Sequence, residues 1–300
     1  MNIGQIAERR TLSRLMATLE RFLSRGEDDL APDAATLSHC HTYRWVPKPH
    51  GGFRWVAVNH RDTIELGHLL GIDRVKQILT RNTQQFVQGH DANHALLWGS
   101  RGTGKSSLVK ALGNRFGPQG LRLIEVQKED LMHLPRLLGQ IRPLPYRFIL
   151  FCDDLSFEES EVSYKSLKAI LEGGLEAKPE NLLIYATSNR RHLMPKHFAD
   201  QGPQVDDEMH PQERMEERIS LSDRFGLWLG FHAFDQQTYL SVVSATSKRL
   251  QLAMDEKTLH QEALIWARTR GARSGRVAHQ FMIDLKGRLA CHETKDEKTP

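Results

Sequence analysis

Apolar positions follow three successive patterns along this 300-residue chain, and each predicts a different kind of structure. Near the start, Leu12, Leu15, Met16, Leu19, Phe22 and Leu23 recur at helical spacing. They predict an amphipathic helix with a basic outer face, ended by Gly26. Residues 27–38 read as a polar linker, and Thr42–Val46 and Phe53–Val58 as a hairpin around a Pro- and Gly-rich turn. Ile64–Phe86 reads as a helical approach broken around Leu69–Ile72. From there the pattern changes to short continuous apolar runs at Ala95–Trp98, Leu121–Val126, Phe148–Cys152, Leu182–Ala186 and Leu227–Phe231. Strands buried on both faces look like this. Helical spacing returns between them: 107–116, then Leu131, Leu134, Leu137, Leu138 and Ile141, then Tyr164, Leu167, Ile170 and Leu171. Strand–helix alternation predicts an α/β fold with a parallel sheet.

Beyond Phe234 the pattern is purely helical, in three segments centred on Tyr239–Leu250, Leu259–Trp266 and Val277–Leu289. These changes divide the chain into an N-terminal extension of helix and hairpin (1–63), an α/β core (64–233), a helical unit (234–293) and a polar tail (294–300). Residues 200–218, rich in Asp, Glu, Gln, Gly and Pro, read as an exposed insertion.

Chemistry enters at the junction between the first apolar run of the core and its helix. Gly99-Ser100-Arg101-Gly102-Thr103-Gly104-Lys105-Ser106 fits the P-loop pattern, in which glycines let backbone N–H groups fold around phosphate. Strand before and helix after are the context that the motif requires. Lys105 would reach the β- and γ-phosphates of ATP, and Ser106 would offer its hydroxyl to Mg²⁺. The run Phe148–Cys152 ends in Asp153-Asp154, a Walker B signature. A carboxylate at the C-terminal edge of such a strand stands beside the P-loop, so Asp153 is the candidate for holding Mg²⁺ and Asp154 for polarising the attacking water. Glu158 and Glu159 are rival general bases. Asn189, just past the next strand, could orient the same water. The last helix opens with Ser274 as N-cap and Arg276 in its first turn, a cation opposing the helix dipole unless an anion sits there.

Composition narrows the setting more than the chemistry. With 39% hydrophobic and 26% charged residues the chain can bury a substantial core. Its net charge of +4 permits contact with nucleic acid without indicating it. Tyr43, Arg44, Trp45, Lys48, Arg54 and Trp55 interleave aromatics and cations, which suits either hairpin packing or single-strand binding. Cys40, Cys152 and Cys291 lie far apart, as expected in a reducing compartment such as the cytoplasm. No run approaches the roughly 18 apolar residues of a membrane span, so no membrane partner is expected.

Taken in order, these parts resemble the AAA+ ATPases over about residues 64–290. Leu97–Ser107, Phe151–Glu158 and Ala186–His192 look more narrowly like an uncharacterised bacterial family of AAA+ ATP-binding proteins. That resemblance implies a five-stranded parallel sheet in order 5-1-4-3-2, a helical lid, ATP and Mg²⁺ as ligands, ring-like homo-oligomers, and a protein or nucleic-acid partner that it does not identify. Residue by residue, it implies nucleotide contacts along Gly99–Ser107, including Ser107, and an adenine pocket lined by Leu70, Gly71 and Ile72. Asn189 is similar to sensor 1, Arg224 to the arginine finger and Arg276 to sensor 2, with Arg273 as its competitor. The chain departs from most AAA+ enzymes at Asp154, where Glu is usual. Either slow hydrolysis or a base role for Glu158 would follow.

Overall fold

The computed structural model describes residues 31–59, 62–157, 162–172, 179–191, 193 and 223–296. The amphipathic helix expected before residue 26, Glu158, Glu159 and the insertion at 200–218 lie outside them. Seven strands form one sheet: β1 (Thr42–Pro47), β2 (Phe53–Ala57), β3 (Ala95–Gly99), β4 (Leu121–Val126), β5 (Arg147–Cys152), β6 (Leu182–Ser188) and β7 (Leu227–Phe231). Their order is β2-β1-β4-β5-β6-β3-β7. The five strands of the core, β3 to β7, run parallel in the expected 5-1-4-3-2 order.

The sheet is wider than five strands because the hairpin joins it. β1 pairs parallel with β4, Thr42 opposite Leu123, while β2 closes the edge antiparallel to β1. A helix, α1 (Ala34–His39), replaces the end of the stretch that reads as linker and runs one residue past it; Asp33 caps it by accepting from the Thr36 N–H at 2.8 Å. Arg122 on β4 ties this helix down although it is only 3% exposed. Its guanidinium donates to the Leu37, Gly117 and Leu121 carbonyls and lies 4.1 Å from the Tyr146 ring centroid, so its buried charge is met by three carbonyls and an aromatic face. Tyr43, Trp45 and Phe53 are buried, and Trp45 stacks on Phe53 at 3.8 Å. These three rings are consumed by packing, so they offer no platform to bases.

Strand alternation sends successive side chains to two cores. Leu97, Leu123, Phe151, Tyr185 and Phe231 face α2 (Asp73–Val87) and α3 (Lys105–Phe116). Leu96, Ile124, Leu150, Ile184 and Ala186 face α4 (Leu134–Ile141) and α5 (Val162–Glu172). The first core continues into α6 (Gln236–Leu250), α7 (Glu256–Arg270) and α8 (Gly275–Asp296) through Phe234, Tyr239 and Phe281. The helical unit is therefore packed onto the side of the sheet that carries α3.

Candidate nucleotide-binding site

The C-terminal ends of β3, β5 and β6 converge on the start of α3, and this convergence assembles the site. Ser100 donates its N–H to the Phe231 carbonyl at 3.0 Å, which fixes the P-loop to the end of β7. Gly104 has φ +100° at the first turn of α3, a left-handed conformation in which a Cβ would be strained. The space around it is not crowded: a Cβ there would meet Ile72 Cδ1 at 3.6 Å and Leu69 Cδ2 at 3.9 Å. Of the segment Leu70-Gly71-Ile72, Ile72 thus stands at the P-loop, accompanied by Leu69. Gly71 abuts Thr238 and Phe234 at the start of the helical unit, and Leu70 is half-buried.

Gly102 is glycine for a second reason. A Cβ on it would lie 2.9 Å from both Arg276 Cβ and Ser274 Oγ, and the Arg276 N–H donates to the Gly102 carbonyl at 3.2 Å. The first turn of α8 is thereby seated on the P-loop, with Ser274 capping it through the Val277 N–H. Of the two arginines, Arg276 is the one seated against the P-loop, where it and Arg101 stand near Lys105, while Arg273 stands near Asp235.

Lys105 is 7% exposed and donates to the Gly99 and Ser100 carbonyls at 2.8 Å each and to Asn189 Oδ1 at 3.3 Å. Burial pulls its ammonium below the usual lysine range; Asp154 and Asp153 oppose that shift, and Arg101 and Arg276 add to it. Asp153 Oδ1 accepts from Ser106 Oγ at 2.6 Å and from Thr187 Oγ1 at 2.5 Å. Asp154 stands at φ +53°, a left-handed conformation that Asp tolerates better than most residues. Its N–H donates to Thr187 Oγ1 at 2.9 Å, and its carboxylate accepts from the Asn189 amide. Ser106 and Asp153 present hard oxygen donors beside one another, which is the donor chemistry of Mg²⁺.

Lys105, Ser106, Asp153, Asp154 and Asn189, read separately from the sequence, thus form one hydrogen-bonded group. Arg224 does not join it: its guanidinium pairs with Glu172 at the end of α5, with side chains 26% and 38% exposed. Thr187 is the residue that sequence reading passes over. The signal for it is the pair of hydroxyls, Thr187 and Ser188, that ends an otherwise apolar strand.

The model of the family described as "Protein of unknown function (DUF815)" matches residues 38–289. The chain belongs to this family. The P-loop, the paired acids and the 5-1-4-3-2 core make it an AAA+ protein of the ATP-binding kind. The Holliday junction branch migration complex subunit RuvB of Mycoplasmopsis pulmonis (strain UAB CTIP) is 25% identical over 202 residues, 65% of this chain. The match spans 58% of that relative's length. Among solved structures, Thermotoga maritima RuvB aligns with a TM-score of 0.45 at 14% identity, covering 74% of this chain and 72% of that one. A DNA replication initiation factor aligns with a TM-score of 0.48 at 16% identity, covering 79% and 70%. No helix among the described residues is long and apolar enough to cross a membrane.

Proposed function

We propose that this chain binds ATP with Mg²⁺ and hydrolyses it to ADP and phosphate, as a ring-like homo-oligomer that moves or loads a partner. The observation that carries this reading is the group joining Lys105, Asn189, Asp154, Asp153 and Ser106 through direct or Thr187-bridged hydrogen bonds. Residues Gly99–Ser107 and Lys105 would hold the phosphates, with Leu69, Leu70, Gly71 and Ile72 along the adenine. Ser106 and Asp153 would hold Mg²⁺, which neutralises charge on the transferring phosphoryl group when bound. Asp154 would accept a proton from the attacking water, Asn189 would orient that water, and Arg276 would follow the phosphates from α8. DNA is the first partner to test, because the 25%-identical relative is named for Holliday junction branch migration.

A second reading is a switch that binds ATP and hardly turns it over. It is favoured by the state of Asp154, whose short side chain is engaged by Asn189. Phosphate release by the purified protein, with and without DNA, separates the two: hydrolysis supports the motor, and tight binding without turnover supports the switch.

The acids make a further test. Asp153→Asn is expected to raise the Mg²⁺ concentration needed for ATP binding, while Asp154→Asn keeps binding and removes most hydrolysis, a loss of about 10²- to 10⁴-fold for a missing general base. Glu158→Gln should retain activity. Normal turnover in Asp154→Asn together with its loss in Glu158→Gln would move the base to Glu158.

A further inference from the structure

We infer that Thr187 is a positioning residue that makes the metal-holding and base-bearing acids act as one unit. The inference rests on the proposed roles of Asp153 and Asp154, but its geometry is independent of them. A threonine hydroxyl has one proton and two lone pairs. Here the proton goes to Asp153 Oδ1 at 2.5 Å, so an oxygen lone pair is what receives the Asp154 N–H at 2.9 Å. The same residue's carbonyl accepts the Leu155 N–H at 2.6 Å. Three consecutive residues after β5 are thus fastened to one residue of β6.

That fastening explains how Asp154 keeps its left-handed backbone. A non-glycine residue at φ +53° persists only where its surroundings hold it, and the bond from the Asp154 N–H to Thr187 is the contact that fixes the peptide plane there. The backbone angle in turn aims the Asp154 carboxylate at Asn189, which also meets Lys105. Thr187 is 1% exposed, so water does not substitute for its hydroxyl. Ser106 converges on the same Asp153 oxygen from the P-loop side. Any rearrangement of Asp153 as it takes up Mg²⁺ therefore passes through the Thr187 hydroxyl to the backbone of Asp154. The metal site and the water site are coupled by a single side chain, rather than set independently by two neighbouring acids.

Thr187→Val removes the hydroxyl at nearly constant volume, and Thr187→Ser keeps it. In the full chain without nucleotide, Thr187→Val should speed amide hydrogen exchange at Asp154 by about tenfold or more, with α2 and α4 unchanged. The half-saturating Mg²⁺ concentration for binding a fluorescent ATP analogue should rise about 10- to 100-fold, and kcat should fall by a similar factor at nearly unchanged KM. Thr187→Ser should restore all three. Exchange and Mg²⁺ dependence like those of the wild type in Thr187→Val would overturn the inference, as would equal losses in Thr187→Ser, which would assign the effect to packing of the methyl group. A Thr187→Val protein that does not fold would leave Thr187→Ser to decide, because a serine variant without local protection at Asp154 also overturns it. A wild type that hydrolyses no ATP would remove the motor reading while leaving the exchange result to judge Thr187.

Discussion

Replacing Lys105 with Ala is expected to lower affinity for ATP by about 100-fold or more while leaving the chain folded, because a charge-assisted contact to phosphate contributes roughly 1.5–3 kcal/mol and Lys105 is placed to make more than one. The ammonium now donates to Gly99 O, Ser100 O and Asn189 Oδ1, all at the mouth of the P-loop. Those acceptors hold it close to where phosphate would bind without embedding it in either apolar core. Burial already disfavours its charge, and an anionic ligand in the loop would relieve that cost. The P-loop conformation itself is set by Gly104, by the Ser100–Phe231 bond and by the Thr103 hydroxyl on Ser100 O, none of which the substitution removes. The thermal midpoint should therefore move by no more than about 4 °C, the shift that roughly 1 kcal/mol produces in a chain of this size. Titration of a fluorescent ATP analogue against both proteins is the measurement. Equal affinity would mean that the loop is not a nucleotide site.

The residues of this site were legible because each sits where local chemistry leaves a mark. A glycine-rich loop between an apolar strand and a helix, and two acids at the end of a strand with no polar residue between Phe148 and Cys152, are visible without any knowledge of distant partners. What was not legible depends on pairing across long separations. Nothing near Thr42 says that it will lie opposite Leu123, so the hairpin read as an extension when it is the edge of the sheet. The aromatic and cationic interleaving of β1 had the same weakness: alternation shows that Tyr43 and Trp45 share a face, but only the sheet shows that this face is buried. Thr187 falls in the same class. Its hydroxyl has meaning only because β5 and β6 are neighbours, Cys152 opposite Ala186, which brings the turn after β5 against the end of β6. Arg276 was half legible: its position in the first turn of a helix marked it as anomalous, but only the fold shows that this turn is seated on the P-loop at Gly102.

Arg224 is where the largest effect is expected, and where sequence and fold pull in different directions. The AAA+ resemblance gives it the role of an arginine finger, and its place just before β7 keeps it out of the group formed by Lys105, Asp153, Asp154 and Asn189 in its own chain. The ion pair with Glu172 gives it a second occupation. A half-exposed pair of this kind contributes under about 1 kcal/mol, too little to compete with a γ-phosphate presented across an interface. If Arg224 serves a neighbouring subunit, Arg224→Ala should lower the hydrolysis rate by about 10³- to 10⁵-fold with little change in ATP affinity. Glu172→Ala should leave that rate intact, because it removes only the resting partner. Complementation distinguishes action in trans from action within one chain. Asp154→Asn subunits keep Arg224 and lack the base; Arg224→Ala subunits keep the base and lack the finger. Each alone should be nearly inactive. Mixed, an Asp154→Asn subunit offers its Arg224 to a neighbour with intact acids, and part of the wild-type activity returns. No recovery on mixing, with Arg224→Ala as active as the wild type, would reduce Arg224 to a surface partner of Glu172. It would also remove the only residue-level reason to expect that catalysis needs a second subunit.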